Sequence, residues 1–226
     1  MTKTGPPWLD PAIAAYVDAR TAPPDDVLRD LIDETTELTG DRSRMQISPG
    51  QGTLLSMITS IAGAHNAVEV GTFTGYSSIC IARALAPGGR LLCLDVSDEY
   101  TAVARRYWER AGLSDRIDLQ LGPAIDTLQA MDTEPTLDLA FIDADKPGYA
   151  GYWDEIVPRL RSPGGVALVD NTLWSGRVVS NDDDDNAGAD SDTEVIRAFN
   201  DMVAADDRVV STVLPIADGL TLAVRI

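Results

Sequence analysis

The chain has 226 residues, with 18 Lys and Arg against 36 Asp and Glu, a single His and two Cys, and a formal net charge of -18. That length suffices for one α/β domain with a sizeable core, and 44% hydrophobic with 24% charged residues excludes a disordered chain. The acidity argues against nucleic acid or an anionic membrane surface as partner, because both require clustered Lys and Arg.

Two cysteines cannot build a disulfide scaffold, and Cys80 and Cys93 are expected as buried free thiols. Residues 1–10 hold no apolar leader, and no apolar run reaches the roughly 18 residues of a membrane span, so a soluble, cytoplasmic protein is expected. The only histidine, His65, falls at a helix-to-strand junction and reads as a capping or surface residue. Acid–base chemistry must therefore come from carboxylates, Lys, Tyr or a metal.

Residues 1–63 form an N-terminal helical segment and 64–226 an α/β core, within one domain. Asp25 and Asp26 follow Pro23–Pro24 and open a helix, along which Val27, Leu28, Leu31, Ile32 and Leu38 recur at helical spacing until Gly40. Ser48, as N-cap before Pro49, starts the next helix. From residue 66 strands and helices alternate: strands at 67–70, 90–95, 116–121, 137–142 and 165–169, with helices at 76–85, 98–111, 125–131 and 149–160. Such alternation predicts a mostly parallel sheet covered on both faces. After a helix at 193–204, strands 208–214 and 220–226 are separated only by residues 215–219. That gap is too short for a crossover, so an antiparallel hairpin closes the sheet.

In such a sheet ligands bind outside the carboxyl ends of the strands. The first strand runs into Glu69-Val70-Gly71-Thr72-Phe73-Thr74-Gly75-Tyr76-Ser77, whose glycines permit a tight turn and close approach to a ligand. Phe73 stands where a pyrophosphate-binding turn needs a second glycine, which demotes a dinucleotide. Asp95, 24 residues beyond Gly71 at the end of the second strand, suits a ribose diol, so the pair points to an adenosine-containing ligand. Asp143 and the Asp170–Asn171 pair end neighbouring strands. Two carboxylates and an amide carbonyl are hard oxygen ligands suited to Mg²⁺, Ca²⁺ or Mn²⁺.

These segments, together with Gly122-Pro123-Ala124, Phe141-Ile142-Asp143-Ala144-Asp145-Lys146 and Val169-Asp170-Asn171-Thr172-Leu173-Trp174, resemble the cation-dependent O-methyltransferases of the caffeoyl-CoA and catechol type. The similarity runs in order over about residues 30–226. It implies the class I S-adenosylmethionine methyltransferase fold, a Rossmann-like seven-stranded sheet with an antiparallel last strand and extra N-terminal helices. It implies S-adenosylmethionine as cofactor, held by Ile47, Glu69, Gly71, Thr72, Ser77, Asp95, Ala124, Asp143 and Asp145. Asp143, Asp170 and Asn171 match the metal ligands and Lys146 the catalytic lysine, with Asp143 beside it. Trp174 reads either as a wall of the acceptor site or as a structural Trp of its loop, and the relatives imply a homodimer, with a monomer under a helical lid as the alternative.

The chemistry implied is an in-line displacement at a sulfonium, in which chelation of vicinal hydroxyls by the cation acidifies and orients the phenol. Lys146 either accepts the phenolic proton or stabilises the phenolate as a cation. Tyr149 and Tyr152 share a helix face, with core packing expected for at least one. Residues 181–192, with Asp182 to Asp185 consecutive, read as a solvated insertion rather than a calcium loop. Gly50 departs from the acid frequent in relatives, and residues 1–25 lack the basic cluster that a CoA phosphate would want, which argues against a CoA thioester acceptor. The competing readings are transfer to a non-catechol acceptor, and a nonenzymatic ligand- or calcium-binding protein. The intact Lys146, Asp143, Asp170 and Asn171 set speaks against the latter.

Overall fold

The computed structural model describes residues 9–179 and 191–226. The expectations for residues 181–190 lie outside the described residues; Asp192 and Glu194, read with that stretch, stand in the first turn of a helix.

Local chemistry starts each N-terminal helix. Asp10 Oδ1 accepts from Ala12 N at the head of α1 (Pro11–Asp18), and Asp25 Oδ1 accepts from Leu28 N at the head of α2 (Asp26–Thr39). Gly40, with φ 54, ends α2 as the sequence predicts, and a 3-10 segment Gly40–Met45 follows. Ser48 Oγ accepts from Gln51 N and Pro49 fills the first position of α3 (Pro49–Ile61).

The alternating part then runs β1 (Asn66–Val70), α4 (Tyr76–Ala84), β2 (Arg90–Asp95), α5 (Asp98–Arg110), β3 (Ile117–Leu121), α6 (Ala124–Ala130), β4 (Leu139–Ile142), α7 (Tyr149–Arg159) and β5 (Val166–Asp170). It closes with α8 (Ser191–Ala204), β6 (Val209–Leu214) and β7 (Leu220–Arg225). Each predicted strand and helix is present, with ends shifted by a residue or two. The short 3-10 segments Lys146–Gly148 and Trp174–Val179 were not foreseen. Their backbones are set by tertiary contacts rather than by periodicity.

The seven strands lie in the order β3-β2-β1-β4-β5-β7-β6. β1 to β5 are parallel, and β7 is antiparallel to both β5 and β6. Strand parity divides the core between two faces. Ala67, Leu139, Phe141 and Leu168 pack with residues of α2 to α5, whereas Val68, Val70, Ala140, Ile142 and Val169 pack with α6, α7 and α8. No described helix is long and apolar enough to cross a membrane.

The strand order reverses between β1 and β4, which opens a crevice at their carboxyl ends. There Gly71 N donates to Leu94 O, Asp143 N donates to Val70 O, and the segments leaving β1 and β4 touch. A Cβ built on Gly71 would lie 1.9 Å from the Asp143 carbonyl oxygen, and the residue has φ 89. Only glycine lets β1 turn this close to β4. Gly71→Ala is therefore expected to lower stability by at least about 3 kcal/mol, read as the guanidinium midpoint. An unchanged midpoint contradicts this reading of the turn.

Candidate active site

The crevice opens into a cavity of about 1430 Å³. Pockets for one drug-sized ligand run to about 1,000 Å³, so two small molecules can be held together. Of the residues expected at the site, Ile47, Gly71, Thr72, Ser77, Asp95, Ala124, Asp143, Asp145, Lys146, Asn171 and Trp174 line it. Glu69 and Asp170 do not. Glu69 is fully buried behind the turn, and Asp170 is 1% exposed at the end of β5.

The turn after β1 is held by an acid from β2. Asp95 Oδ2 accepts from Thr72 N at 2.8 Å and Phe73 N at 2.9 Å, and Oδ1 accepts from Ser97 N at 2.8 Å. Phe73 has φ 51, a conformation costing a non-glycine residue about 1–2 kcal/mol. Its edge-to-face contact with Tyr100, at 4.8 Å, offsets about 0.5–1.5 kcal/mol of that. The bonds to a charged acceptor, about 1.5–3 kcal/mol each, decide the balance. Thr74, fully buried, is fixed from the other side. Thr35 Oγ1 donates to Thr74 Oγ1 at 2.9 Å, and the Gln46 amide reaches both hydroxyl oxygens at 3.1 and 3.2 Å. This network ties α2 and the segment before α3 to the cofactor-side turn.

Glu69 projects toward the α2–α5 face, where Oε2 accepts from Cys93 Sγ at 3.3 Å and Oε1 has no hydrogen-bond partner among the described atoms. Burial pushes its carboxyl up to about 7, although the Ser77, Cys93, Thr72 and Ser78 side chains oppose the shift. Those hydroxyls are near enough to act on its charge without reaching Oε1. Both cysteines are buried free thiols, as expected, yet Cys93 also serves as donor to this acid.

The far half of the wall centres on Lys146, which is 7% exposed. Its Nζ lies 2.7 Å from Asn171 Oδ1 and 3.6 Å from Asp143 Oδ1, and it donates to the Tyr149 hydroxyl. That hydroxyl donates in turn to the Asp170 carbonyl at 3.0 Å. Burial, then the charges of Asp143 and Asp170, push the Tyr149 phenol well above its usual range, which keeps it a neutral relay. Tyr152 donates to Asp145 Oδ1 at 2.7 Å and so orients that acid. Both tyrosines are buried, and both also carry polar work that helix periodicity cannot reveal. Trp174 lies with its ring centroid 5.6 Å from Lys146 Nζ and 4.9 Å from the Arg177 guanidinium.

The donor set fits a hard divalent cation. Oxygens of Asp143 and Asn171 already converge on one positive charge, the Lys146 ammonium, and Asp170 Oδ1 accepts from Asn171 N at 2.8 Å. Among the described residues no three His, Cys, Asp or Glu side chains converge in this way; the set is two carboxylates and an amide. Asp95, Asp143 and Asp145 line the same cavity, and carboxylates there could face a sulfonium or accept from a ribose diol.

Comparison with known proteins follows this geometry. Residues 19–226 match the model of the O-methyltransferase family. A probable caffeoyl-CoA O-methyltransferase of Dictyostelium discoideum is 39% identical over 204 residues, covering 89% of this chain and 86% of that protein. A catechol O-methyltransferase of Niastella koreensis is 35% identical over 187 residues, covering 80% and 82%. Among solved structures, the O-methyltransferase from Bacillus cereus in complex with SAH superposes with a TM-score of 0.81 at 35% identity, over 95% of this chain and 97% of that one.

Glu69 supplies a test of the site's electrostatics. It holds its proton to about pH 7 when folded but loses it near 4.5 when unfolded. Between those values the folded chain binds more protons, so raising the pH from 4.5 to 7 removes stability, by about 3 kcal/mol. In Glu69→Gln that component of the pH dependence should vanish. Identical stability–pH slopes for the two proteins, in the absence of ligand, would contradict it.

Proposed function

This chain belongs to the O-methyltransferase family, and we propose that it transfers a methyl group from S-adenosylmethionine to one hydroxyl of a small vicinal diphenol, with a divalent cation present. One observation carries the reading: a buried Lys146 ringed by Asp143, Asn171 and Tyr149, on the wall shared with the Gly71 turn and Trp174. The seven-stranded sheet with its antiparallel last strand is that of class I S-adenosylmethionine methyltransferases. SAH, found in the Bacillus cereus relative, is what S-adenosylmethionine becomes on losing its methyl.

S-adenosylmethionine supplies an electrophilic methyl, and a divalent cation supplies acidity to a chelated hydroxyl. Toward the first, Ile47, Gly71, Thr72 and Ser77 hold the amino-acid portion, Asp95 the ribose and Ala124 the adenine edge, with Asp143 and Asp145 facing the positive charge. Glu69 acts on this pocket from behind, through the Thr72 and Ser77 side chains around it. Asp143, Asp170 and Asn171 hold the cation. Trp174 presents a flat face to the aromatic acceptor.

Lys146 stays an ammonium between Asp143 and Asn171 and stabilises the phenolate oxygen by its charge, while the phenolic proton leaves to solvent. S-adenosylmethionine bound there would supply the methyl carbon that the phenolate oxygen takes up, and would leave as a neutral thioether. Tyr149, locked as a neutral hydroxyl, keeps Nζ aimed into the cavity.

The same reading makes the protein a homodimer. Ile13, Tyr16 and Val17 on α1 and Met57 and Ile61 on α3 are more than half exposed, which suits cover by a second copy. Free Cys80 and Cys93 accord with a reducing, cytoplasmic setting.

Lys146→Ala is expected to lower turnover by about a hundredfold or more while calorimetry finds the affinity for S-adenosylmethionine within about twofold. Turnover equal to the parent's would remove Lys146 from the mechanism. EDTA should suppress methyl transfer and Mg²⁺ restore it; undiminished transfer after chelation would remove the cation.

A further inference from the structure

The cavity rim contains a second carboxylate clamp that the reaction scheme above leaves without a role. Among the described residues, five non-glycine residues have positive φ: Phe73, Asn171, Trp174, Ser175 and Ala217. Four of them belong to two facing segments, the loop after β5 and the β6–β7 turn, and all five line the cavity. Backbone of this kind persists only where its surroundings over-determine it.

The two segments are stitched together. Thr172 N donates to Gly219 O at 3.1 Å, Leu173 N donates to Asp218 O at 2.9 Å, and Ser175 N donates to the Asp218 carboxylate. The contact is too close for any side chain at Gly219: a Cβ there would sit 2.5 to 2.8 Å from Leu173 atoms, and φ is 85. From the opposite side α8 holds the same loop. Asn200 donates to Thr172 O at 2.8 Å, while Arg197 donates to the carbonyls of Arg177 and Val178 at 3.1 and 3.0 Å. The loop carrying Asn171 and Trp174 is thus fixed at both ends; on the cavity side Lys146 binds the Asn171 side chain, Arg177 Nε donates to Trp174 O at 3.3 Å, and Asp218 takes the Ser175 N–H.

We propose that Asp218 is a positioning residue for the acceptor. By binding Ser175 N it holds the strained Trp174–Ser175 backbone, and so sets the Trp174 ring relative to Lys146. It also joins the loop to the Pro215–Ala217 tip, making one rigid rim. Asp218 acts through Trp174 and Ser175, and so selects which hydroxyl of an asymmetric diphenol lies toward the methyl. The proposal rests on the diphenol reading given above.

The test compares Asp218→Ala, which removes the acceptor of the Ser175 N–H bond, with Asp218→Asn, which keeps an oxygen there. Protocatechuate is the probe, because its two hydroxyls give distinguishable monomethyl products. For Asp218→Ala the expected result is about tenfold faster hydrogen exchange across residues 171–177, about a tenfold higher KM for protocatechuate and a shifted product ratio. S-adenosylmethionine affinity should stay within about twofold of the parent's. Asp218→Asn should restore exchange, KM and product ratio to near parental values. Unchanged exchange in Asp218→Ala overturns the proposal, as does faster exchange with unaltered KM and product ratio. An equal loss of cofactor affinity in both variants also overturns it, since that points to the carboxylate's charge or to the fold. If the parent protein methylates no diphenol, the functional reading fails; that outcome is seen before either variant is made.

Discussion

A left-handed backbone costs an ordinary residue about 1–2 kcal/mol, and this chain adopts it at Phe73, Asn171, Trp174, Ser175 and Ala217, all lining one cavity. Aspartates hold three of these points. Asp95 binds the N–H of Phe73, Asp170 Oδ1 that of Asn171 at 2.8 Å, and Asp218 that of Ser175. The rest of the site depends on these bonds. A carboxylate accepting backbone N–H groups can stabilise an unfavourable turn and keep charge in the cavity at the same time. Of the two roles that compete for a strand-end acid in the sequence, cap and ligand group, the structure has the first at Asp95 and Asp170, and Asp95 also lines the cavity.

This also divides the chain's large negative charge. Seven of its 36 acids lie between Asp182 and Glu194, and another set is gathered at the strand ends around the cavity. The second set surrounds a buried cation, Lys146, which is tied to Asp143, Asn171 and Tyr149. Burying an ammonium is costly unless it is paired and hydrogen-bonded, so the acids and the lysine require each other. An acid-lined cavity of this kind suits a sulfonium and a divalent cation rather than a polyanion.

Much of this architecture is local and therefore legible in the sequence. Asp25, Ser48–Pro49 and Gly40 mark helix ends by capping chemistry, and alternating apolar strands give the two-faced sheet. The short gap at 215–219 forces the hairpin. Gly71, Asp95, Asp143 and Asn171 are recognisable because each follows a strand directly. What escaped depends on distant partners. Tyr149 reads as a core residue until Lys146 and the Asp170 carbonyl are placed against its hydroxyl. Gln46 gains meaning only when Thr35 and Thr74 meet it, and Asp218 only when the hairpin folds back on Leu173 and Ser175. The motif places Glu69 beside the cofactor turn, and strand parity with Ala67 turns its side chain toward the α2–α5 face, behind that turn.

The most direct measurement is methyl transfer from S-adenosylmethionine, with Mg²⁺ present, to matched vicinal diphenols and monophenols, followed by mass spectrometry of the acceptors. The account predicts that diphenols gain a single methyl group while the corresponding monophenols remain unchanged. Equal methylation of both classes, or of neither, would contradict it.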